Sequence, residues 1–391
     1  MNYKLEGRDI LSNNEQLGPY PDHLLKRVDV PTNWIPGNHP QRKSHHDAAK
    51  GASGLSTKGN FKQGRTEPLF KSVLQARQPL KKNNLEPNPV AEKKAPIPDD
   101  PRVRSRHLKS VCYMLGADAV GICEVPEYAM YLEKQNSDEP VNCDWKYAIV
   151  IAKRKDVRTC SASNGYDWIM NCTNHVAYTM LYNISEALAN YMRRLGFDAY
   201  TSNANNYVTV MTSLLIAAGI GECGRMGIAV NPFFGGGIKS CAVLTNMELE
   251  VDKPIDFGLM EYCKTCGICS EVCLSKAISR DNDLVEYNGY KKYKMEYSRC
   301  ASLQSSLTTG GACARCANFC PWNRPDIGPE FYKDWDGDLK KLYESVDARA
   351  AYLRERNFVT EEHENRRWWF DLAENEEGDL VIPDQTIYTE Y

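Results

Sequence analysis

The chain has 391 residues, of which 42% are hydrophobic and 25% charged, so it can bury one large core or two smaller ones. The formal net charge of -3 leaves no basic surplus, so the composition predicts no nucleic-acid partner. The sequence lacks both the run of about 18 apolar residues that a membrane helix needs and an N-terminal signal core. It therefore predicts a cytoplasmic chain as written, although an exported, membrane-associated form whose leader had been removed would look the same.

The first part of the chain, residues 1–105, is polar and interrupted by Pro and Gly, which predicts an extended N-terminal arm. Helical and strand patterns then alternate over residues 106–257 and predict an α/β or α+β core. A helix followed by a buried strand is expected over 106–125, and a short strand over 145–153.

The longest helical pattern covers residues 175–197 and ends at the stop signal Gly196. Another helix and two strands are expected after it, over 208–219, 228–232 and 240–249. Residues 258–325 are rich in cysteine. The C-terminal tail, residues 326–391, is expected to pack over the body of the protein and contains three tryptophans: Trp335, Trp368 and Trp369.

Fifteen cysteines are unusual for such a chain, and eight of them form closely spaced runs, which favours metal over disulfides. The first run has the spacing C-x2-C-x2-C-x3-C and consists of Cys263, Cys266, Cys269 and Cys273. In two-cluster ferredoxins the fourth cysteine of such a run ligates the other cluster, so this run requires a second one.

The second run is Cys313, Cys316 and Cys320. Cys300 lies upstream and is separated from Cys313 by twelve residues, where two are usual. The sequence therefore predicts two [4Fe–4S] clusters with crossed ligands. We call the two ligand sets the first cysteine group (Cys263, Cys266, Cys269 and Cys320) and the second cysteine group (Cys273, Cys300, Cys313 and Cys316). Zinc, which C-x2-C pairs also bind, is the alternative, but it gives no reason for two interlocked runs.

The other seven cysteines lie mostly in apolar runs and are expected to be small buried hydrophobic residues: Cys112, Cys123, Cys143, Cys160, Cys172, Cys223 and Cys241. A dinucleotide fingerprint, G-x-G-x-x-G, is matched by Gly219, Gly221 and Gly224. That fingerprint needs a strand before it and a helix after it, whereas this sequence predicts the reverse order. We interpret the match as a turn with tight backbone packing.

The stretch AGIGECGRMGIAVNPFFGGGIKSCAVLTNMELEVDKPIDFGLMEYCKTCGICSEVC resembles the corrinoid-dependent reductive dehalogenases. In that family an AGLGE-x-GR-type segment precedes an FG loop, a DKP-x-x-FG linker and the first cysteine run. The upstream LKRVDVPT and the downstream CPWN fit as well. The resemblance covers most of residues 15–325.

The resemblance implies an α+β architecture: a nitroreductase-like cobalamin-binding core followed by a ferredoxin-like domain with two [4Fe–4S] clusters. It also implies a base-off corrinoid, with no protein ligand to cobalt, and the absence of a D-x-H-x-x-G motif agrees. The glycines of the two Gly-rich segments become candidate cofactor contacts: Gly219, Gly221, Gly235, Gly236 and Gly237.

The activity implied is the replacement of a halogen of a small organohalide by hydrogen. Electrons would come from an external low-potential donor through the clusters, and exported members of the family work with a small membrane-anchor subunit. By resemblance, Tyr178 is the proton donor and Lys239 its basic partner. A nearby ammonium favours the phenolate, so the phenol gives up its proton more readily.

An asparagine that helps to place the substrate falls in the stretch SNANNY, where Asn203, Asn205 and Asn206 are all candidates and Asn206 is favoured by its distance from Gly219. Two rival functions remain. An enzyme of the epoxyqueuosine reductase type shares the cofactors but acts on tRNA, and it favours a basic surface that this chain lacks. A non-catalytic iron–sulfur electron carrier would need only the cysteine-rich region.

Overall fold

The computed structural model describes residues 16–30, 73, 88–132, 140–141, 144–204, 206–286, 290–307, 312–325, 327–361 and 363, and near the end residues 373–374, 376–377 and 379–381. Among them the helices, in chain order, are α1 Pro101–Met114, α2 Val157–Ser161, α3 Ile169–Arg194, α4 Met211–Ala217, α5 Leu259–Cys266, α6 Ile268–Glu271, α7 Tyr297–Ser306, α8 Arg315–Asn318, α9 Pro329–Asp334 and α10 Leu339–Glu355. Short 3-10 turns lie at Asp22–Leu24 and Glu127–Ala129.

The strands, in chain order, are β1 Ala119–Glu124, β2 Tyr147–Arg154, β3 Ala199–Ser202, β4 Glu222–Cys223, β5 Ala229–Val230, β6 Ile238–Thr245, β7 Leu284–Glu286, β8 Lys291–Tyr293, β9 Ala373–Glu374 and β10 Leu380–Val381. Helices and strands are thus mixed along the chain, as the sequence predicts.

A four-stranded antiparallel sheet with the order β1-β2-β6-β3 forms the centre of the core. Successive side chains of a strand point to opposite faces, so each face has its own partners. On one face Ile149, Ile151 and Val243 join a buried cluster with α1 and α3. On the other, Val150 and Leu244 join a cluster with α4 and with aromatic residues that follow β5 and α8.

The first core helix begins at Pro101, before the expected start of the core at residue 106. The Asp100 side chain accepts a hydrogen bond from the Arg102 N–H at 2.9 Å, and Pro101 occupies the first helical position. An acidic N-cap followed by proline is a favourable helix start. This corrects the predicted arm, whose last five residues belong to α1.

The cysteine-rich region folds as short helices around a small hairpin of β7 and β8. Cys263 and Cys266 lie in α5, and Cys269 lies in α6. Gly267 separates the two helices with a φ of 64°, a left-handed conformation that glycine adopts without a steric cost. This bend brings three cysteines of the first run to one side of the turn.

Part of the predicted arm packs on the core. The Tyr20 ring lies 4.9 Å from both the Phe233 and Phe234 rings, and Arg27 donates to the Gly219 and Lys253 carbonyls at 3.2 and 3.0 Å. Most of residues 31–87 lie outside the described residues.

In the tail, Trp335 is buried with its ring 5.1 Å from that of Phe233. Packing of the whole tail over the body stays a prediction. Trp368 and Trp369 lie outside the described residues. None of the described helices combines the length and the apolar character needed to cross a membrane.

Candidate functional site

Tyr178 and Lys239 meet on the α3 side of the sheet. The Lys239 Nζ lies over the Tyr178 ring, 5.1 Å from its centroid. Strand alternation puts Lys239 on the same face of β6 as Cys241 and Val243, which pack towards α3. Tyr178 packs against that same buried cluster from α3. The structure therefore brings together the two residues that the resemblance assigns to proton transfer.

The asparagine loop after β3 separates the three candidates. Asn203 is buried, and its side-chain amide donates to Ser185 Oγ and Glu186 Oε1 in α3 at 3.3 and 3.4 Å. Asn206 is half-buried and its Oδ1 accepts from the Asn203 N–H at 3.3 Å. Asn205 lies outside the described residues. Asn203 is thus engaged in holding the loop on α3, and Asn206 keeps the more accessible amide.

A second lysine, Lys155, lies close to the pair and is only 6% exposed. Its backbone N–H donates to the Gly237 carbonyl at 2.8 Å, and its Nζ donates to Met170 Sδ at 3.1 Å. Burial lowers the pKa of this ammonium, and repulsion from Lys239 lowers it further, whereas Cys160 and Cys316 act in the opposite sense. Lys155 therefore lies within electrostatic reach of both Lys239 and the second cysteine group.

The first cysteine group lines one cavity. The walls include all four of its members, together with Arg225 and Trp322: Cys263, Cys266, Cys269 and Cys320. These four come from α5, α6 and the segment after α8, so the chain returns to close the set. Among the described residues, no group of three or more potential ligands converges tightly enough to hold a single metal ion. The cysteines surround a space instead.

Burial raises the pKa of the Cys263 thiol to about 12, and repulsion from Cys266 contributes to the rise. Burial also raises the pKa of Cys320 well above its ordinary value, with repulsion from Cys263 next in size. Thiols that are mutually close and buried resist ionisation unless a cation compensates the charge. This environment therefore suits a positively charged metal core bound by thiolates.

The members of the second cysteine group also lie within electrostatic reach of one another. Burial raises the pKa of Cys316 well above its ordinary value, and repulsion from other cysteines adds to the rise: Cys269, Cys300, Cys313 and Cys273. Cys300, whose spacing is irregular, lies in α7 and affects the pKa of Cys313 as well, after the larger effect of burial. Cys300 therefore lies within electrostatic reach of Cys313 and Cys316, and its role as a cluster ligand stays a prediction.

Two sulfur atoms of the second cysteine group, those of Cys273 and Cys300, accept hydrogen bonds. Burial alone would raise the pKa of the Cys273 thiol, but hydrogen bonds from Ser275 and from backbone N–H groups outweigh it and lower the pKa. Ala277 N–H donates to Cys273 Sγ at 3.3 Å, and Gln304 Nε2 donates to Cys300 Sγ at 3.3 Å. Hydrogen bonds to thiolate sulfur are among the features that tune iron–sulfur potentials.

The second group packs against the loop that leads into α3. Arg315 Nη1 donates to the Asn164 carbonyl at 2.5 Å, and Asn318 Nδ2 donates to the Ser163 carbonyl at 2.9 Å. Both donors belong to α8, which also carries Cys316. Helix α8 is therefore fixed to the loop that precedes α3, the helix that carries Tyr178.

Two of the candidate glycines have a clear packing role. Gly219 has a φ of 68°, and a Cβ there would lie 2.3 Å from the Lys253 carbonyl oxygen. A Cβ on Gly221 would lie 2.4 Å from the Val230 carbonyl oxygen. Helix α4 precedes these glycines and strand β4 follows them, the reverse of a dinucleotide site. The expected tight turn is therefore observed.

The glycines of the FG loop are also enclosed by protein. A Cβ on Gly235 would lie 2.6 Å from Asn323 Cα, one on Gly237 2.6 Å from Asn323 Oδ1, and one on Gly236 2.7 Å from Met226 Cε. Packing within the protein accounts for glycine at these positions. Contact with a corrinoid through the backbone of these five glycines stays a prediction.

Six of the seven remaining cysteines are buried, as expected: Cys112, Cys123, Cys160, Cys172, Cys223 and Cys241. Cys143 lies outside the described residues. The sequence analysis missed Lys155, Arg225 and also His175, whose ring centroid lies 6.3 Å from that of Tyr178. The i, i+3 spacing of His175 and Tyr178 on one helix could have indicated that neighbour.

The chain is 26% identical to the tetrachloroethene reductive dehalogenase of Sulfurospirillum multivorans over 312 residues, which is 68% of this chain and 60% of that protein. A solved reductive dehalogenase, whose structure suggests a mechanism for B12-dependent dehalogenation, superposes with a TM-score of 0.79 at 29% identity. That superposition covers 94% of this chain and 53% of the other.

A more distant match, 24% identical over 152 residues, is the epoxyqueuosine reductase of Lactococcus garvieae, with 36% of this chain and 39% of that protein covered. No family model matches the chain. The chain thus spans somewhat more than half the length of these two reductive dehalogenases.

Proposed function

This chain is related to the reductive dehalogenases, and from that premise we propose that it replaces a halogen of a small organohalide with hydrogen. The observation that carries the proposal is the Lys239 ammonium over the Tyr178 ring, 5.1 Å from its centroid. Helix α8, which carries Cys316 of the second cysteine group, is hydrogen-bonded to the loop that leads into α3, the helix that carries Tyr178. A proton source and a route for electrons therefore reach the same region.

Two [4Fe–4S] clusters fit the two cysteine groups. The cavity lined by Cys263, Cys266, Cys269 and Cys320 supports the first, and the mutual electrostatic influence of the four cysteines of the other group supports the second. Helix α8, which carries Cys316, is hydrogen-bonded to the loop that leads into α3. We therefore propose that the second cluster is the one nearer to the reacting centre, and that the first cluster accepts electrons from an external low-potential donor.

A base-off cobalamin-type corrinoid is the remaining cofactor, in a nitroreductase-like core followed by a ferredoxin-like domain. The residues present fit it. Lys155 is a buried donor whose acceptor is the Met170 thioether, a weak acceptor, so it can donate instead to an amide or phosphate oxygen of the cofactor. When bound, a corrinoid supplies the low-potential cobalt chemistry that cleaves carbon–halogen bonds.

The protein residues complete the reaction. Two electrons and one proton convert the organohalide to R–H and a halide ion. Tyr178 Oη–H delivers the proton to the carbon, and Lys239 stabilises the phenolate that remains. Asn206, which is half-buried at the edge of the loop after β3, is placed to orient the substrate. A small membrane-anchor subunit is a further partner in this proposal.

A screen for halide release tests the proposal. Protein reconstituted anaerobically with iron, sulfide and cobalamin is supplied with a low-potential reductant and a panel of chlorinated and brominated compounds. We expect halide release that depends on bound cobalamin, and protein without cobalamin is the control. The cobalt(II) EPR spectrum should lack nitrogen superhyperfine splitting from an axial base.

The two rivals give different outcomes in the same experiment. An enzyme of the epoxyqueuosine reductase type would bind cobalamin, reduce epoxyqueuosine in a tRNA stem-loop and release no halide. A simple electron carrier would take up iron but no cobalamin. Either result, or a clear nitrogen triplet in the EPR spectrum, would contradict the corresponding part of the proposal.

A further inference from the structure

Arg225 is a buried guanidinium at the first cysteine group. It is 2% exposed and lines the cavity beside the four cysteines. Its Nε and Nη2 donate to the Cys263 carbonyl at 3.0 and 2.8 Å. Nη1 donates to the Ser279 and Asp281 carbonyls at 3.1 and 2.7 Å, and Nη2 also contacts Asn282 Oδ1. Every N–H of the guanidinium is engaged.

All of these acceptors are neutral. The guanidinium also stacks over the Tyr293 ring, 4.1 Å from its centroid, which is another uncharged contact. The Asp281 carboxylate accepts from Ser279 Oγ instead. Within the described ranges, Arg225 makes no ion pair with a carboxylate. The hydrogen bonds satisfy its donors but leave its charge uncompensated.

A buried charge without a counter-charge is costly, and arginine does not lose its proton to relieve the cost. The counter-charge must therefore come from what the cavity binds. A cubane with four thiolates is anionic and becomes more so when it accepts an electron.

The loop that carries Arg225 also fixes the helix that carries two of the thiolates. Glu222 Oε1 accepts from the N–H groups of Phe257 and Leu259 at the start of α5, at 2.6 and 3.5 Å. Arg225 binds the Cys263 carbonyl in its last turn. The Arg225 cation at the last turn complements the helix dipole.

We propose that Arg225 is the counter-cation of the first cluster, and that its buried charge raises the reduction potential of that cluster. The proposal deepens the proposed function and depends on the first cluster being present. Arg225 acts through the cluster and touches no substrate, so it is a positioning and potential-setting residue.

The test is a redox titration of the holoprotein, in which each cluster is followed by EPR. In Arg225→Gln, we expect the midpoint potential of one cluster to fall, because the reduced form loses its stabilising cation. A tenfold lower ratio of reduced to oxidised cluster at a fixed potential corresponds to about 59 mV for one electron. Arg225→Lys keeps the positive charge but loses the planar guanidinium with its five N–H donors. The midpoint potential of this variant should stay close to the wild-type value.

Arg354→Gln is the matched control. Arg354 also donates to the carbonyl of a cysteine of this group, Cys266, at 2.6 Å, but it is exposed, so solvent screens its charge. Its loss should shift the potential much less. An Arg225→Gln protein with full iron and unchanged potentials would overturn the inference, as would equal shifts in Arg225→Gln and Arg354→Gln.

The outcome also separates this inference from the proposed function. Wild-type protein that forms no first cluster would refute the proposed function itself. Loss of the first cluster in Arg225→Gln but not in Arg225→Lys would support the need for the charge. Loss of the first cluster in both variants would show that Arg225 is only a structural clamp, and the inference would fall.

Discussion

The Nζ atom of Lys239 lies 5.1 Å from the centroid of the Tyr178 ring, while its neighbour across the sheet, Lys153, is held elsewhere. Lys153 Nζ forms an ion pair with Asp118 at 3.0 Å and donates to the Gly116 carbonyl at 2.9 Å. Two lysines directly opposite on adjacent strands repel each other, and Asp118 relieves that repulsion. Lys239 is thereby left to act on Tyr178.

Replacement of the Tyr178 hydroxyl tests the proton donor. In Tyr178→Phe the ring still packs, so iron and corrinoid loading should stay normal, and turnover should fall by about 10²–10⁴. Tyr191→Phe is the matched control, because Tyr191 lies on the same helix and its hydroxyl contacts His107 at 2.8 Å. Full activity of a normally loaded Tyr178→Phe protein would exclude Tyr178 as the acid.

Replacement of Lys239 tests its electrostatic role. In Lys239→Met the ammonium that stabilises the phenolate left by proton transfer is removed. Turnover should therefore fall, while iron and corrinoid loading stay normal. The loss should be far from additive with that of Tyr178→Phe, because the two residues act as a unit. Lys153→Met should leave turnover near the wild-type value; a loss of similar size there would argue against the assignment.

Iron content tests the two cysteine groups. Reconstituted protein should contain about eight iron atoms per chain. In Cys300→Ala, one cluster should be lost and about four iron atoms should remain, with one EPR signal of a reduced cluster unchanged. Cys241→Ala, which removes a buried thiol from β6, should keep all the iron. Unchanged iron in Cys300→Ala would show that Cys300 is not a ligand.

The free energy of unfolding should depend on pH through the ionisation of Glu222. Burial raises the pKa of this carboxyl from 4.5 to about 7. The folded state therefore holds the proton more tightly than the unfolded state, so stability falls as the pH rises from about 4.5 through 7. The loss amounts to about 3 kcal/mol.

Urea unfolding measured between pH 5.5 and 8 checks this dependence. In Glu222→Gln, whose amide oxygen can still accept from the Phe257 N–H, the decrease over this pH range should be smaller by about 2 kcal/mol, the part of the loss that falls between these pH values. An unchanged pH dependence would show that Glu222 ionises normally in the folded protein.

Much of the fold follows from local patterns. The alternation of apolar residues predicts β2 and β6, and the period of 3.6 residues together with Gly196 predicts α3. The start of α1 was missed because its acidic N-cap and proline are also the composition of a linker. The cysteine spacing predicts both groups, including Cys300, because ligand geometry restricts which cysteines can share a cluster, and their ligation of two clusters stays a prediction.

The buried charges were not predictable in the same way. Charged residues are mostly exposed, so Arg225, Lys155 and Glu222 carry no local sign of burial. Their surroundings come from distant parts of the chain: Arg225 contacts residues 38 and 56 positions away. The choice of the substrate-placing asparagine stayed open for a related reason. The turn closed by the hydrogen bond from the Asn206 N–H to the Asn203 carbonyl decides which asparagine side chain faces the core, and the sequence does not show that turn.

The exchange of Cys273 and Cys320 between the two groups has a consequence for biosynthesis. In the proposed assignment, the second group gains its last thiol at Cys316 and the first at Cys320. A nascent chain that has emerged past Cys273 but not Cys313 presents an unbroken run of four thiols that belong to two different sites. Metal delivered at that moment would capture the wrong set, so correct maturation requires iron insertion to wait until translation has passed this region.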